Sequence, residues 1–275
     1  MKVLILGEGF IGKRLQESLK CNISGRQIYS FKDAEEEVKK YNPKIIINCV
    51  GDTGKRNVDD CELDKDKTLF SNSFLPIILA EVALRHRIKL VHISSGCIYH
   101  FDYSKCKPLK ETSLPDYYDL FYSRTKIYAE RALKILSDEF NILIARIRIP
   151  LDNRPHPKNT FTKLINYKKV INIPNSITYI PDFIKAIKHL IGIDAKGIYN
   201  VVNKGGLRYP ELLDIYKKYV PDFNYRIIEY KELNLARTNL ILSTKKLEGT
   251  GFKIRNIKEV LEECVKEYLA MNYEL

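Results

Sequence analysis

The sequence predicts an α/β fold in which strands and helices alternate around a doubly wound parallel sheet. Three observations lead to this prediction. Short apolar runs recur along the first part of the chain, segments with helical spacing follow them, and the connections are short. The run KIIINCVG at 44–51 is apolar without alternation, as expected for a strand buried on both faces of such a sheet.

The chain begins with the apolar run KVLIL, a glycine-rich turn and a helix start. The turn has the spacing Gly7-x-Gly9-x-x-Gly12 and contains Phe10 and Ile11. In dinucleotide-binding folds the first glycine permits the tight turn and the second lets a pyrophosphate approach the backbone. The third lets the helix pack on the strand, while the helix N-terminus faces the phosphates. We therefore interpret these residues as the NAD(P)-binding turn of a Rossmann-type domain.

The second strand is predicted around Gln27–Ser30, directly after Ser24, Gly25 and Arg26. Folds that prefer NADH usually place an acid at the end of this strand, on the ribose hydroxyls. No acid is close by in the sequence, and a serine and an arginine suit a 2′-phosphate. The pattern favours NADPH and leaves NADH open. Arg26 as an exposed turn residue is the competing interpretation.

The remaining elements follow the same alternation. Apolar spacing predicts further strands in KIIINCVG, IKLVHISS and NILIARIRIP, and helices over 33–41, 72–87 and 117–136. The tail predicts helices over 158–167, 181–191, 210–219 and 256–268, with a strand over 197–202. We predict a cofactor-binding domain over 1–150 and a smaller substrate lobe over 151–275, with an interleaved boundary.

Tyr122 and Lys126 carry the clearest catalytic signal. Residues four apart share one face of a helix, and a lysine ammonium beside a phenol stabilises the phenolate. A tyrosine so placed can exchange a proton with a carbonyl or alcohol near neutral pH. The hydroxyl of Ser95, at a strand end, can hold the same oxygen. A nicotinamide cofactor would supply the hydride.

Composition restricts the class of protein. The chain has 275 residues, of which 45% are hydrophobic, enough for a sizeable core. No apolar run approaches the ~20 residues that span a bilayer, so no membrane association is predicted. The six cysteines form no CxxC pair and no metal-binding spacing, which indicates reduced thiols in a cytoplasmic protein without a metal.

The net charge of +12 has two interpretations. A basic groove would bind nucleic acid or a polyanionic small molecule. The lysines are scattered along the whole chain, however, which favours a general compositional bias. No nucleic-acid recognition motif is present, so a nucleic-acid partner is not predicted.

The ordered motifs resemble those of the extended short-chain dehydrogenase/reductases that act on nucleotide sugars. They are the glycine turn, Asn48–Gly51, Asn72, SSGCIY at 94–99, the Tyr122/Lys126 pair and 146–150. The segments GCIYH, FYSRTK, RIRIP, KNTFTKLINYKKVINIPNSIT and GIYNVVN are similar to the plant-type bifunctional 3,5-epimerase/4-reductases of rhamnose synthesis, which are related to dTDP-4-dehydrorhamnose reductase. Extended members usually carry GxxGxxG, whereas this chain has GEGFIG.

The resemblance implies roles for several residues. Asn48 and Gly51 would join the cofactor site, and Asn72 and Arg237 the substrate site. Cys97 and Lys163 would form an acid/base pair for epimerisation, because a ketone at carbon 4 acidifies the hydrogens on carbons 3 and 5. A buried filler cysteine and a solvated surface lysine are the competing interpretations.

The implied function is NADPH-dependent conversion of a nucleotide-linked 4-keto-6-deoxy-hexose into a 6-deoxy-L-hexose such as L-rhamnose. Reduction of carbon 4 alone is the alternative within enzymes. A non-catalytic NAD(P)-binding regulatory subunit is the alternative of another class, although it would not require the Ser–Tyr–Lys trio. The nucleotide base stays open among UDP, dTDP and GDP. Relatives are often dimers, which leaves a homodimer open.

Overall fold

The structure, a computed structural model, describes residues 2–104, 107–233 and 237–272. Its residues group into two compact units. The first comprises Met1–Ile98, Leu114–Arg146 and Leu190–Tyr199, and the second comprises Tyr99–Ser113, Ile147–His189 and Asn200–Leu275. The proposed functional division into 1–150 and 151–275 stays a prediction.

A six-stranded sheet organises the first unit, in the order β2-β1-β3-β4-β5-β9. The strands are β1 Val3–Leu6, β2 Asn22–Ser24, β3 Ile45–Asn48, β4 Lys89–Ser95, β5 Ile142–Ile147 and β9 Gly197–Asn200. The pairs β1/β2, β1/β3 and β3/β4 are parallel. Strands β1, β3 and β4 are buried along their whole length, as expected for strands covered on both faces.

The order reverses at β1, which lies between β2 and β3. The chain leaves β1 in one direction to form β2 and then crosses to the other side to form β3. In open sheets of this kind, ligands bind outside the carboxyl ends of the strands at such a reversal. The glycine turn and Asn48 both lie at these ends.

The helices that accompany this sheet are α1 Phe10–Leu19, α2 Phe31–Tyr41, α3 Lys65–Leu69, α4 Leu75–Arg85 and α5 Phe121–Glu139. A 3₁₀ turn, Val58–Glu62, precedes α3, and a π-helical turn, Phe70–Phe74, joins α3 to α4. The core of this unit packs apolar side chains of α2, α4 and α5 against the sheet, including Leu79, Leu90 and Leu133.

The stretch Lys65–Arg85 is continuous helix, 21 residues long, and by length and composition it could cross a bilayer. The stretch contains Asp66, Lys67 and Glu81, so it is not an uninterrupted apolar run of that length. Half of its most apolar window is buried inside the protein. Its side chains Leu75, Leu79 and Val82 belong to the core, which is typical of a central helix.

The second unit contains short strands and helices around its own core. Its strands are β6 Pro150–Leu151, β7 Lys169–Ile171, β8 Thr178–Tyr179 and β10 Arg226–Ile228, with parallel pairs β6/β8 and β7/β10. Its helices are α6 Thr160–Ile165, α7 Ile180–Gly192, which ends in the first unit, α8 Tyr209–Tyr219, α9 Lys245–Glu248 and α10 Leu261–Asn272. 3₁₀ turns cover Tyr230–Leu233 and Ile257–Val260. Leu151, Phe161, Tyr179 and Leu213 lie in its core.

Two strand predictions are corrected by the structure. The second strand is Asn22–Ser24 rather than 27–30, because α1 ends at Leu19 and Lys20 turns the chain back with a φ of 50°. Ser30 is then needed as the N-cap of α2. The strand predicted for the tail lobe at 197–202 forms instead β9, next to β5 in the main sheet.

Two helix boundaries also differ. The helix predicted from 117 begins at Phe121 and continues to Glu139. The helix predicted from 72 begins upstream at Lys65 through the π-helical turn. Helix ends carry weaker sequence signals than the apolar periodicity inside them.

Candidate active site

The glycine turn has the geometry that a dinucleotide diphosphate requires. Gly7 has a φ of +102°, and its N–H donates to the Ser24 carbonyl at 2.9 Å. A Cβ on Gly12 would lie 1.9 Å from the Gly7 oxygen, so only glycine lets α1 approach β1 this closely. Gly9 has no atom within 4 Å of a would-be Cβ, and as N-cap of α1 it offers no side-chain cap. The turn and helix end therefore fit a bound pyrophosphate.

Two further predicted cofactor residues, Phe10 and Ile11, lie inside the turn. Phe10 is buried and Ile11 is half-buried in the first turn of α1. Asn48, at the end of β3, is fully buried; its Oδ1 accepts from the Val50 N–H at 3.0 Å. The Asn48 bond holds the chain just after the carboxyl end of β3.

Arg26 lies in a different setting from the predicted one. Ser24 is the last residue of β2, and Gly25 and Arg26 follow that strand. No acid is close by in the sequence, but the structure brings two acids of α2 to Arg26, which pairs with Asp33 at 3.2 Å and Glu36 at 2.7 Å. These partners could not be recognised from the sequence because they lie in the next helix, α2. Arg26 also lines a cavity of about 710 Å³ with Gly7 and other residues of the turn.

Ser95 and Cys97 lie on one tightly held loop at the end of β4. The Ser95 Oγ accepts from the Cys97 N–H at 3.1 Å. The Ser123 Oγ donates to the Cys97 carbonyl at 2.6 Å. Ser95 is buried and Cys97 is half-buried. The second bond ties the serine loop to the first turn of α5, where Tyr122 lies.

Tyr122 and Lys126 lie together on α5, as the sequence predicts. Both side chains are buried, and the Lys126 Nζ is 5.9 Å from the centre of the Tyr122 ring. Burial lowers the pKa of Lys126 to about 8, and the nearby carboxylates of Glu130 and Asp52 partly oppose that shift. A Cβ on Gly51 would lie 3.1 Å from this Nζ, so glycine leaves room for the ammonium.

Asn72 is a buried residue of the π-helical turn. Its Oδ1 accepts from the Asp52 N–H at 2.9 Å, and its Nδ2 donates to the Asp52 carbonyl at 3.0 Å and to the Thr125 Oγ1 at 3.2 Å. The amide therefore links the loop after β3 to α5, beside Lys126. The substrate-binding role predicted for Asn72 stays a prediction.

Lys163 and Arg237 belong to the second unit. Lys163 is half-buried on α6, and its pKa is lowered by burial and by the positive charges of Lys158 and Arg237. The backbone of Arg237 is held by Tyr230, whose hydroxyl donates to its carbonyl at 2.8 Å. These three cations form a basic cluster in this unit.

The sequence missed one anchor in the second unit. Arg148 is buried and donates to the Asn175 Oδ1 at 2.9 Å and to the Thr238 Oγ1 at 2.8 Å. It thus holds the segment that follows Arg237. The RIRIP motif contained this arginine, but its partners lie 27 and 90 residues away in sequence.

No group of three or more potential metal ligands occurs among the residues that the structure describes. The site chemistry of those residues is that of hydroxyls, a phenol, amides and lysines.

The family follows from a comparison with known proteins. A family model described as the RmlD substrate binding domain matches residues 1–175. The chain belongs to this family. The membership confirms the predicted resemblance to extended short-chain dehydrogenase/reductases and to the enzymes of rhamnose synthesis.

Two curated relatives of this RmlD-family chain come from Arabidopsis thaliana. It is similar to a bifunctional dTDP-4-dehydrorhamnose 3,5-epimerase/dTDP-4-dehydrorhamnose reductase, 31% identical over 243 residues, which cover 84% of this chain and 79% of the relative. It is also similar to a trifunctional UDP-glucose 4,6-dehydratase/UDP-4-keto-6-deoxy-D-glucose 3,5-epimerase/UDP-4-keto-L-rhamnose-reductase. There the identity is 30% over 236 residues, which cover 82% of this chain but only 35% of the relative.

Solved structures show the same fold. The L780 UDP-rhamnose synthase of Acanthamoeba polyphaga mimivirus superposes with a TM-score of 0.88 at 23% identity, covering 97% of this chain and 99% of that chain. The dTDP-4-dehydrorhamnose reductase of Bacillus anthracis, in complex with NADP, gives 0.84 at 23% identity, covering 97% and 100%. These superpositions confirm the predicted Rossmann-type α/β fold.

Proposed function

We propose that this RmlD-family chain is an NADPH-dependent reductase that acts on carbon 4 of a nucleotide-linked 4-keto-6-deoxy-hexose. We further propose that it epimerises carbons 3 and 5, so that the product is a 6-deoxy-L-hexose such as L-rhamnose. The observation that carries the reductase is the buried Tyr122/Lys126 pair, tied to the Ser95 loop by the bond from Ser123 to Cys97.

Three side chains perform the proton chemistry of the reduction. Tyr122 donates a proton to the carbonyl oxygen as that oxygen gains negative charge. The Ser95 hydroxyl donates a hydrogen bond to the same oxygen. The Lys126 ammonium stabilises the phenolate that remains on Tyr122. When bound, the reduced nicotinamide cofactor supplies the hydride.

The first unit supports a dinucleotide as the cofactor. The open backbone at Gly9 and the uncapped start of α1 suit the diphosphate. Ser24 ends β2 and Arg26 lies just after it, where a 2′-phosphate would be recognised. The Bacillus anthracis relative is a complex with NADP. The acids that pair with Arg26 compete with a phosphate for it, so NADH stays open as a second cofactor.

The epimerase proposal concerns Cys97 and Lys163. One group removes a proton from carbon 3 or 5 and another returns one to the opposite face, while a polarised ketone stabilises the enolate. The names of the two Arabidopsis relatives include 3,5-epimerase activity. Burial and neighbouring cations lower the pKa of Lys163, which makes its neutral, basic form more accessible.

The basic cluster of Lys158, Lys163 and Arg237 supports a nucleotide diphosphate as part of the substrate. Arginine binds phosphate oxygens through paired hydrogen bonds. The relatives named above act on UDP-linked and dTDP-linked sugars, so both nucleotides belong in the test.

The test is an incubation in deuterated water. The protein, NADPH and UDP- or dTDP-4-keto-6-deoxy-glucose are followed by proton NMR and by NADPH absorbance. Deuterium at carbons 3 and 5 together with NADPH oxidation supports both activities. If a pre-epimerised 4-keto-L-sugar is reduced while NADPH is oxidised, and no deuterium is exchanged, the protein is a reductase alone. NADPH binding with no turnover of any keto-sugar leaves the regulatory-subunit alternative.

Matched variants assign the residues. Tyr122→Phe should lower the rate of reduction by about 100- to 10,000-fold, whereas Tyr128→Phe, on the exposed face of the same helix, should not. Cys97→Ser should abolish deuterium exchange and spare reduction of the pre-epimerised sugar. Cys21→Ser, which changes another half-buried cysteine, is its control. Deuterium exchange as fast in Cys97→Ser as in Cys21→Ser would show that Cys97 takes no part in epimerisation.

A further inference from the structure

Three charged side chains are buried in the same region, and one of them is the lysine of the catalytic pair. Lys126, Glu130 and Arg146 are 4%, 3% and 1% exposed. Glu130 follows Lys126 by four residues and so shares its face of α5. The reduction described above uses only the lysine, although burying three charges is costly unless they interact.

The Glu130 carboxylate is held on two sides. Arg146, from β5, donates to its Oε2 through Nε at 2.9 Å and through a terminal nitrogen at 2.6 Å. Ser94, from β4, donates to its Oε1 at 2.6 Å. Paired contacts of this kind fix the position of a carboxylate. Glu130 therefore connects α5 to two strands, β4 and β5. Its partner on β4, Ser94, directly precedes Ser95.

Several titratable groups lie near Lys126, and not all of them are charged near pH 7. The titratable groups acting on the lysine come from several elements: Glu130 of α5, Asp52 after β3, Cys61 of the 3₁₀ turn and His92 of β4. Burial raises the pKa of Cys61 to about 11 and lowers that of His92 well below its usual value, so both are neutral near pH 7.

Asp52 is the other carboxylate that acts on Lys126. It accepts a hydrogen bond from the Thr68 hydroxyl at 2.6 Å and lies 3.7 Å from the exposed Lys67 ammonium. Asp52 thus also interacts with a second lysine, as Glu130 interacts with Arg146. Glu130 opposes the effect of burial on Lys126 more than Asp52 does.

We propose that Glu130 is a positioning residue of this active site, whose buried carboxylate, oriented by Arg146 and Ser94, stabilises the Lys126 ammonium one helical turn away on the same face of α5. This inference rests on the proposed function only in giving the lysine its role in reduction. Without the carboxylate, Arg146 and Lys126 would be two buried cations in one region, and the lysine would lose its proton more easily.

The first test needs neither substrate nor cofactor. Lysine labelled with ¹³C at Cε is incorporated, the Lys126 signal is assigned with Lys126→Arg, and its titration is followed by NMR. We expect Glu130→Gln to lower the midpoint by about one pH unit or more. Glu139→Gln removes the same charge from the exposed end of α5 and should leave the midpoint in place.

The second test uses the reaction. The alkaline limb of the pH profile of kcat/KM should move to lower pH in Glu130→Gln by the same amount as the titration. A purely structural role would lower activity without moving this limb. If the wild-type chain turns over no keto-sugar, the proposed function fails, while the NMR titration still decides the role of Glu130.

A double variant allows for misfolding, because Glu130→Gln leaves Arg146 unpaired. Glu130→Gln/Arg146→Gln removes that unpaired charge, and its midpoint should also lie below the wild-type value. A midpoint unchanged in the folded variants, or an equal shift in Glu139→Gln, would overturn the proposal.

Discussion

Gly9 and Gly12 differ in what surrounds them, although both belong to one six-residue turn. A Cβ on Gly12 would meet the backbone oxygen of Gly7 at 1.9 Å, whereas one on Gly9 would meet nothing within 4 Å. Gly12 is therefore required by the fold itself. Gly9 is required only if a ligand approaches the backbone there.

This difference gives a prediction for two alanine substitutions. Gly12→Ala should lower the thermal midpoint, because backbone atoms of β1 and α1 must separate. Gly9→Ala should keep the midpoint within the range of surface substitutions but weaken NADPH binding at least tenfold. Calorimetry for binding and thermal unfolding would measure both.

Gly192→Ala is the control, since that glycine also has nothing within 4 Å and lies in α7. It should change neither property. Unweakened NADPH binding by Gly9→Ala would contradict the assignment of the turn to the cofactor diphosphate.

At the scale of elements, α5 has three faces with different tasks. One face carries Tyr122 and Lys126, followed by Glu130. A second buries Leu133 in the core of the first unit. The third is exposed and includes Tyr128 and Ile135. The helix thus positions the proposed catalytic pair by being packed into the core two turns further on.

Leu133 and Ile135 test this packing within one helix. Leu133 is 0% exposed and Ile135 is 74% exposed. Leu133→Ala should lower the free energy of unfolding by about 2–5 kcal/mol, because it removes buried methyl groups and leaves a cavity. Ile135→Ala should change it by about 0.5 kcal/mol or less.

Urea denaturation followed by circular dichroism would measure both variants. Equal losses in the two variants would show that the exposed face of α5 is covered in solution, for example in a homodimer.

At the scale of the whole molecule, the central sheet buries a histidine. His92 pairs with Asn48 across β3 and β4, with its Nδ1 3.1 Å from the Asn48 Nδ2. Burial, together with the nearby Lys126 charge, lowers its pKa well below the usual value. The folded protein therefore keeps this ring neutral at a pH where the unfolded chain protonates it.

The acid stability of the fold should reflect this ring. Above about pH 6.5 His92 is neutral in both states and contributes no pH dependence. As the pH falls below that value, only the unfolded chain binds the proton. Stability should then fall by up to about 1.4 kcal/mol per pH unit.

His92→Gln, which retains an acceptor for Asn48, should reduce the slope between about pH 4 and 6.5 in urea denaturation series. His100→Gln changes an exposed histidine and should preserve it. A slope unaffected by His92→Gln would assign the acid dependence to other groups.

Much of the fold and part of the site could be read from local sequence signals. The long apolar runs that form β3, β4 and β5 and the glycine turn after β1 need no partner to be recognised. The i, i+4 spacing of Tyr122 and Lys126 placed them on one helix face. By contrast, β2 is a three-residue strand, Asn-Ile-Ser, with no periodic signal, and its register depends on pairing with β1.

Local sequence signals were enough to predict the alternating α/β class, the glycine turn and the Tyr/Lys pair, because steric limits on glycine and helical periodicity act over a few residues. Three contacts became visible only in the folded chain: β9 joins the main sheet, Arg26 pairs with acids of α2, and Arg146 meets Glu130. These contacts join residues far apart along the chain or in different elements. Their energies depend on burial and charge pairing, which exist only once the elements have packed together.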